Sequence, residues 1–137
     1  NPTDTLEVDG AIRATGDVIM NSDRRLKTNL REIKDASSKV KQLKGFVYNW
    51  ANHTKNPDLA NRDFIGLIAQ DVLDVVPEVV YHDTAIDRYG ISYPNLVALL
   101  IEAMNEMNME YENRCSLYDS RFSSLEKQMD KIMRGEK

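Results

Sequence analysis

The chain opens on a two-residue rhythm. Leu6 and Val8 alternate with polar neighbours, Asp9-Gly10 is a hairpin-type turn signal, Ile12 and Ala14 alternate again, and after Gly16 the period returns at Val18 and Met20. Strands this short cannot bury enough surface to stand alone. They predict the end of a longer β-structure, one shared between chains. Further on, Ala36 to Leu43 predicts a short helix stopped by Gly45, Phe46 to Trp50 a strand of aromatic and β-branched residues, and Asn52 to Asn61 a polar loop around Pro57. Phe64 and Ile65 start another apolar stretch, and Leu67, Ile68, Val72, Val75 and Val76 fall at helical spacing up to Pro77, which ends the helix. Val79 to Tyr81 and Gly90 to Tyr93 read as strands around the polar turn at Asp83–Asp87. This middle part is α+β in pattern.

After Pro94 neither Pro nor Gly recurs until Gly135. A helix of about 40 residues, about 60 Å long, is predicted, with Pro at its first position. One heptad register runs through it. Ile101, Asn108, Cys115, Phe122 and Met129 occupy a; Val97, Met104, Tyr111, Tyr118, Leu125 and Ile132 occupy d. Asn108 is the single position of this seam that is neither apolar nor aromatic, a device that fixes register. Arg114 and Arg121 fall at g, Asp119 and Glu126 at the following e, a pairing that rewards parallel strands only. The bulky mixture at a and d favours a parallel trimer over a dimer. Over residues 94–107, Leu99, Leu100 and Met107 widen the apolar face, so this part also suits packing on the chain's own domain. The fold class expected is α+β: a small mixed globular part, then a long C-terminal helix forming a parallel trimeric coiled coil, the whole preceded by the end of an intertwined β-stalk. The divisions are 1–21, 22–92 and 93–134.

Length and composition narrow the function. With 137 residues, 42% hydrophobic and 29% charged, the chain suits one folded domain. A single Cys excludes an internal disulfide framework and every multi-Cys zinc pattern. No run of about 18 apolar residues exists, so no transmembrane helix is expected, and the acidic, Gly-containing opening does not read as a targeting segment. Residues 22–44 carry eight bases and three acids within a chain of net charge −4. Nucleic-acid binding would need that block, but it lacks interleaved aromatics; a solvated face, or a partner for the acidic segments, suits it better.

Most familiar catalytic motifs are absent. His53 and His82 have no metal-ligand spacing around them, Cys115 at an a position reads as a small hydrophobe, and Asp71 and Asp74 form a solvated pair at i, i+3. No metal and no cofactor is expected. What remains is Asn21-Ser22-Asp23-Arg24-Arg25-Leu26-Lys27. A serine needs a base to become a nucleophile, and Lys27 is the near one. A free lysine, with pKa about 10.4, is neutral in fewer than about one molecule in a thousand at pH 7; burial or neighbouring cations must favour the amine, and Arg24, Arg25 and Arg31 are such cations. In a strand Ser22 and Lys27 point to opposite faces, and in a helix they are about 140° apart. The chain must bend between them, or Lys27 must come from a neighbouring chain. Taken alone, Ser22 reads as readily as a turn or N-cap residue.

The stretch Ser22-Asp23-Arg24-Arg25-Leu26-Lys27-Thr28-Asn29-Leu30 resembles the opening of the intramolecular chaperone, auto-processing domain found at the C-terminus of phage endosialidase tailspikes, tail fibres and neck appendages. Three further matches follow in order: the aromatic strand ending at Trp50; Gly66 to Val72 with Val76-Pro77-Glu78-Val79-Val80; and Ile91-Ser92-Tyr93-Pro94 running into Asn95 to Ala103. The resemblance covers residues 18 to about 107. It implies a homotrimer that holds the upstream β-structured part of the same polypeptide in register, then cuts itself off between Asn21 and Ser22. By the same resemblance Ser22 is the nucleophile and Lys27 its general base, with Asp23, Arg24 and Arg25 in support. It implies assembly in the host cytoplasm and a mature upstream part in the virion tail, with neither nucleic acid nor membrane as partner. The related domain in a membrane-tethered eukaryotic transcription factor leaves a second origin open; the stalk-like strands favour phage. The rival reading is a permanent trimerisation module that never cuts.

Overall fold

The computed structural model describes residue 8, residues 11–51 and residues 61–135. The Asp9-Gly10 turn and most of the polar loop around Pro57, with His53, lie outside the described residues. The chain divides into two units, residues 1–32 and 33–137.

In the first unit every described residue is exposed and no strand forms over residues 11–20. The alternation at Ile12–Ala14 and Val18–Met20 therefore gives no strands within one chain. Among the described residues, segments of two or three alternating residues have no neighbour to complete a ladder. The regular element of this unit is a 3₁₀ turn at Arg24–Leu26.

The second unit starts with helix α1, Ala36–Gln42. Asp35 before it is in the left-handed region, φ 55°, and its side chain caps nothing. The chain leaves α1 through extended Leu43 into strand β1, Phe46–Tyr48, which pairs antiparallel with β2, Phe64–Gly66, in the register Phe46↔Gly66, Val47↔Ile65 and Tyr48↔Phe64. Aromatic content holds this ribbon. Tyr48 stacks on Phe64 with centroids 5.7 Å apart, Trp50 meets both rings edge-on, and the Arg62 guanidinium lies 5.2 Å above Phe64. The Asn49 amide donates to the Arg62 carbonyl and to Asp63 Oδ1, both at 2.9 Å.

Helix α2, Ala69–Val75, begins two residues after the predicted Leu67, because Ile68 is still extended. Its buried side chain is Val72. Pro77 ends α2 as expected and opens a 3₁₀ turn, Pro77–Val79. Strands β3, Val80–Asp83, and β4, Arg88–Ile91, form a second antiparallel pair, register Val80↔Ile91 to Asp83↔Arg88. Asp83 Oδ1 accepts from the Ala85 N–H at 2.9 Å, and Asp87 takes φ 49° to close the turn. His82 stacks on its cross-strand partner Tyr89, 4.1 Å between centroids, and is held by Asp87 Oδ1 at 2.8 Å.

Helix α3 spans Tyr93–Met133, 41 residues, with Pro94 in its first turn. The core is small: Ala36, Val72, Val76, Val79, Leu96, Leu99 and Ala103, flanked by Val40, Leu43, Leu67, Val75, Val80 and Ile91. The long helix contributes Leu96, Leu99 and Ala103, at heptad positions c and f, away from the a/d seam. Leu100 and Met107, expected to widen the body-facing side with Leu99, are about half exposed. They sit at g, between the two faces.

Two polar contacts fasten α3 to the rest. The Tyr93 hydroxyl accepts from the Leu67 N–H at 2.8 Å, tying the end of β2 to the start of the helix. Gly66 makes this approach feasible, since a Cβ there would stand 2.7 Å from the Tyr93 hydroxyl oxygen and 3.2 Å from Tyr48 Cε1. Farther along, Glu106 Oε1 accepts from the Ala36 N–H at 2.9 Å and Oε2 from the Ser37 N–H at 2.8 Å.

Candidate active site

The bend that Ser22 and Lys27 require is present within one chain. Asp23, with extended backbone, starts the 3₁₀ turn, and its carboxylate accepts from the Arg25 N–H at 2.8 Å as a side-chain cap. The same carboxylate takes the Arg25 guanidinium, Nη2 to Oδ2 at 2.7 Å and Nε to Oδ1 at 3.0 Å. The Leu26 and Lys27 N–H groups return to the carbonyls of Asp23 and Arg24, at 3.1 and 3.2 Å. One tight turn between two extended residues, Asp23 and Lys27, folds the chain back on itself. Lys27 Nζ then donates to Ser22 Oγ at 2.7 Å.

Electrostatics stabilise the turn more than the pair. The hydrogen bonds from the Arg25 side chain and backbone hold the Asp23 carboxyl below its ordinary range, and Asp23 raises the Arg25 guanidinium in turn. Both are exposed, so this ion pair is a modest contribution. Asp23 and Arg25 thus have a structural place, as the cap and clip of the turn. Arg24 makes the backbone contact and Asn21 carries the carbonyl of the bond preceding Ser22.

At 2.7 Å a neutral lysine amine can accept the serine proton, and the same amine, once protonated, can return it to a leaving nitrogen. Among the described residues no group of three or more His, Cys, Asp or Glu could hold a metal ion.

The second predicted constellation is the seam. Val97, Ile101, Met104, Asn108, Tyr111, Tyr118, Phe122, Leu125, Met129 and Ile132 are all exposed in the single chain, and Cys115 is half-buried. Within the helix the Tyr111 hydroxyl is hydrogen-bonded to the Cys115 thiol, which raises its pKa. The Arg114 guanidinium is raised by its hydrogen bond with Tyr118 and by Glu110. No helix of the described residues is long and apolar enough to cross a membrane.

Sequence reasoning missed two residues, Tyr93 as an acceptor and Glu106 as a cap. The signal for Glu106 was available: it continues the stripe Leu96, Leu99 and Ala103 at helical spacing, as a lone acid on an apolar face.

The family model described as chaperone of endosialidase, a peptidase family, matches residues 22–81, so the match begins at Ser22 itself. Residues 22–81, fewer than half of the chain, are thus similar to the chaperone of endosialidase family. The chain is also similar to phage fibre proteins. The long tail fiber protein Gp37 of Enterobacteria phage M1 and that of phage Ox2 are each 37% identical over 97 residues, 69% of this chain and 38% of theirs. Gp37 of phage K3 is 32% identical over 96 residues, 66% of this chain and 7% of its own. The chain therefore spans well under half the length of these relatives.

Proposed function

We propose that this chain is the C-terminal chaperone of a phage tail fibre or tailspike, which holds three copies in register while an upstream β-structure folds and then releases itself by cutting between Asn21 and Ser22. The observation that carries the chemistry is the 2.7 Å contact between Lys27 Nζ and Ser22 Oγ at the residue where the family match begins. The exposed seam from Val97 to Ile132, on a helix of 41 residues, supports the assembly.

In this reading Lys27, as the neutral amine, takes the hydroxyl proton of Ser22 while Oγ attacks the carbonyl carbon of Asn21. The C–N bond breaks, the ammonium of Lys27 returns the proton to the departing Ser22 nitrogen, and an ester joins Asn21 to Ser22 Oγ. Water then hydrolyses the ester to the Asn21 carboxylate and the free hydroxyl. Attack by Ser22 of another copy would follow the same proton path. No cofactor enters either route.

The test is a time course on denaturing gels with N-terminal sequencing. The parent of 137 residues should yield a 116-residue product beginning at Ser22. Ser22→Ala and Lys27→Ala should stay intact and still assemble. Lys27→Arg should also stay intact, because a guanidinium does not release its proton. Processing should accelerate as pH rises, since only the neutral amine accepts the hydroxyl proton. Processing of Ser22→Ala at the parental rate would overturn the dyad. The rival, a permanent trimerisation module, draws on the open position of the pair, which lacks the enclosure usual for acid–base sites. It gains if the assembled parent stays whole.

A further inference from the structure

Around an α-helix the heptad positions follow one another as f, c, g, d, a, e and b. In the proximal part of α3 an apolar arc runs through Leu99 at f, Leu96 and Ala103 at c, Leu100 and Met107 at g, Val97 and Met104 at d, and Ile101 at a. The body of the same chain buries Leu96, Leu99 and Ala103 and stops there. Leu100 stays 48% exposed and Met107 54%, beside the exposed Val97, Ile101 and Met104. Beyond the arc, e and b carry Asn95, Ala98, Glu102 and Asn105. The apolar surface left open here is therefore one position wider than the a/d seam, and it widens on the g side only.

We infer that Leu100 and Met107 are assembly residues: with Val97, Ile101 and Met104 they form a g/d/a face that a second, parallel copy of α3 covers, so the proximal part is the broad end of the interface. The inference rests on the oligomeric reading of the seam and adds to it the g row and a partner for that row. The continuation of the row identifies the occupant. Leu100, Met107, Arg114 and Arg121 stand one heptad apart. In a parallel copy each g residue meets the e residue of the next heptad, so Arg114 meets Asp119 and Arg121 meets Glu126, both of opposite sign. A copy that pairs those charges in register also reaches Leu100 and Met107. Arg114 is already drawn to the seam side by its hydrogen bond with Tyr118, a d residue. The e residues that arrive opposite the apolar pair accept it. Leu100 meets Asn105, whose amide reaches back to Glu102 Oε2 at b, 3.5 Å, so its polar end lies away from the seam. Met107 meets Glu112, which offers its aliphatic stem. The change along the row divides the work: apolar burial supplies affinity at the proximal end, and opposite charges set direction and register at the distal end.

The test uses the full chain carrying Ser22→Ala, so that every species keeps one length. Mass is followed by sedimentation across a dilution series for this parent, for Leu100→Gln/Met107→Gln and for Met109→Gln. Met109 is 65% exposed but sits at b, off the arc, and controls for the loss of any exposed apolar side chain. The double variant should dissociate at about a hundredfold higher concentration than the parent, since half-covered apolar side chains are lost at two positions in every copy. Met109→Gln should stay within about threefold of the parent. Leu100→Met/Met107→Leu, which keeps the row apolar and leaves the core untouched, should dissociate at the parental concentration. A double variant that dissociates where the parent does overturns the inference, because the row is then covered by something other than a second copy. Equal weakening by Met109→Gln overturns it too, since position on the helix would then not matter. A parent that is a monomer at every concentration overturns the oligomeric reading of the seam itself, and this inference with it.

Discussion

The first and second parts of the long helix α3 face different demands. From Tyr93 to Met107 two stripes run side by side: Leu96, Leu99, Ala103 and Glu106 face the body of the same chain, while Val97, Ile101 and Met104 lie on the opposite side and stay exposed. From Asn108 to Met133 only the seam continues, and nothing among the described residues covers it. One helix is thus shared between a fold that closes within a single chain and an apolar surface that does not.

The largest effect expected from breaking this comparison is at the distal part. Leu125→Asp places a charge in the seam, and light scattering should fall from three times 15.7 kDa to a single chain, with near-ultraviolet circular dichroism of the aromatic β1–β2 ribbon retained. A parental mass would show that the distal helix is not the assembly surface. Leu99→Ala attacks the other stripe. Leu99 is 3% exposed, and its truncation should cost about 2–5 kcal/mol in chemical denaturation while the oligomer persists. Loss of the oligomer would mean that the two stripes are one cooperative unit.

A smaller effect is expected from pH. The Glu106 carboxyl is lowered in the folded chain by its bonds to the Ser37 and Ala36 amides. A lowered carboxyl binds fewer protons folded than unfolded, so its stabilisation is complete above the ordinary glutamate range and is lost as pH falls through the lowered value. Melting temperature should therefore drop on acidification more steeply for the parent than for Glu106→Gln; parallel curves would count against the carboxylate. The smallest effect concerns Asn108, where the two parts meet. Asn108→Ile should raise the melting temperature slightly while allowing mixed oligomers in native mass spectrometry. A less stable, uniform trimer would remove Asn108 from the register argument.

Periodicity made the helices legible, because 3.6-residue spacing survives in any context that buries one face. Ala36–Gln42, Ala69–Val75 and Tyr93–Met133 stand within two residues of their expected starts and stops. The resemblance pointed to Ser22 and Lys27 as a candidate pair, but spacing alone could not bring Ser22 to Lys27. Asp23 did that, by capping a turn through Arg25, a local contact that neither strand nor helix geometry contains. Among the described residues the opening segments form no strands; alternation at Ile12 and Val18 records a preference for a ladder, and the ladder expected was one shared between chains. Glu106 and Tyr93 were not legible as partners, since Glu106 acts across 70 residues and Tyr93 across 26.

The turn at Asp23–Lys27 also bears on timing. The contact between Lys27 and Ser22 spans five positions in sequence and is made without any help from the core. Closing so short a loop is fast, within about 10–100 ns for a ten-residue segment, so Ser22 and Lys27 can meet before long-range contacts form. In the proposed self-cleavage reading, the meeting of these two side chains therefore cannot be the step that sets when the cut is made.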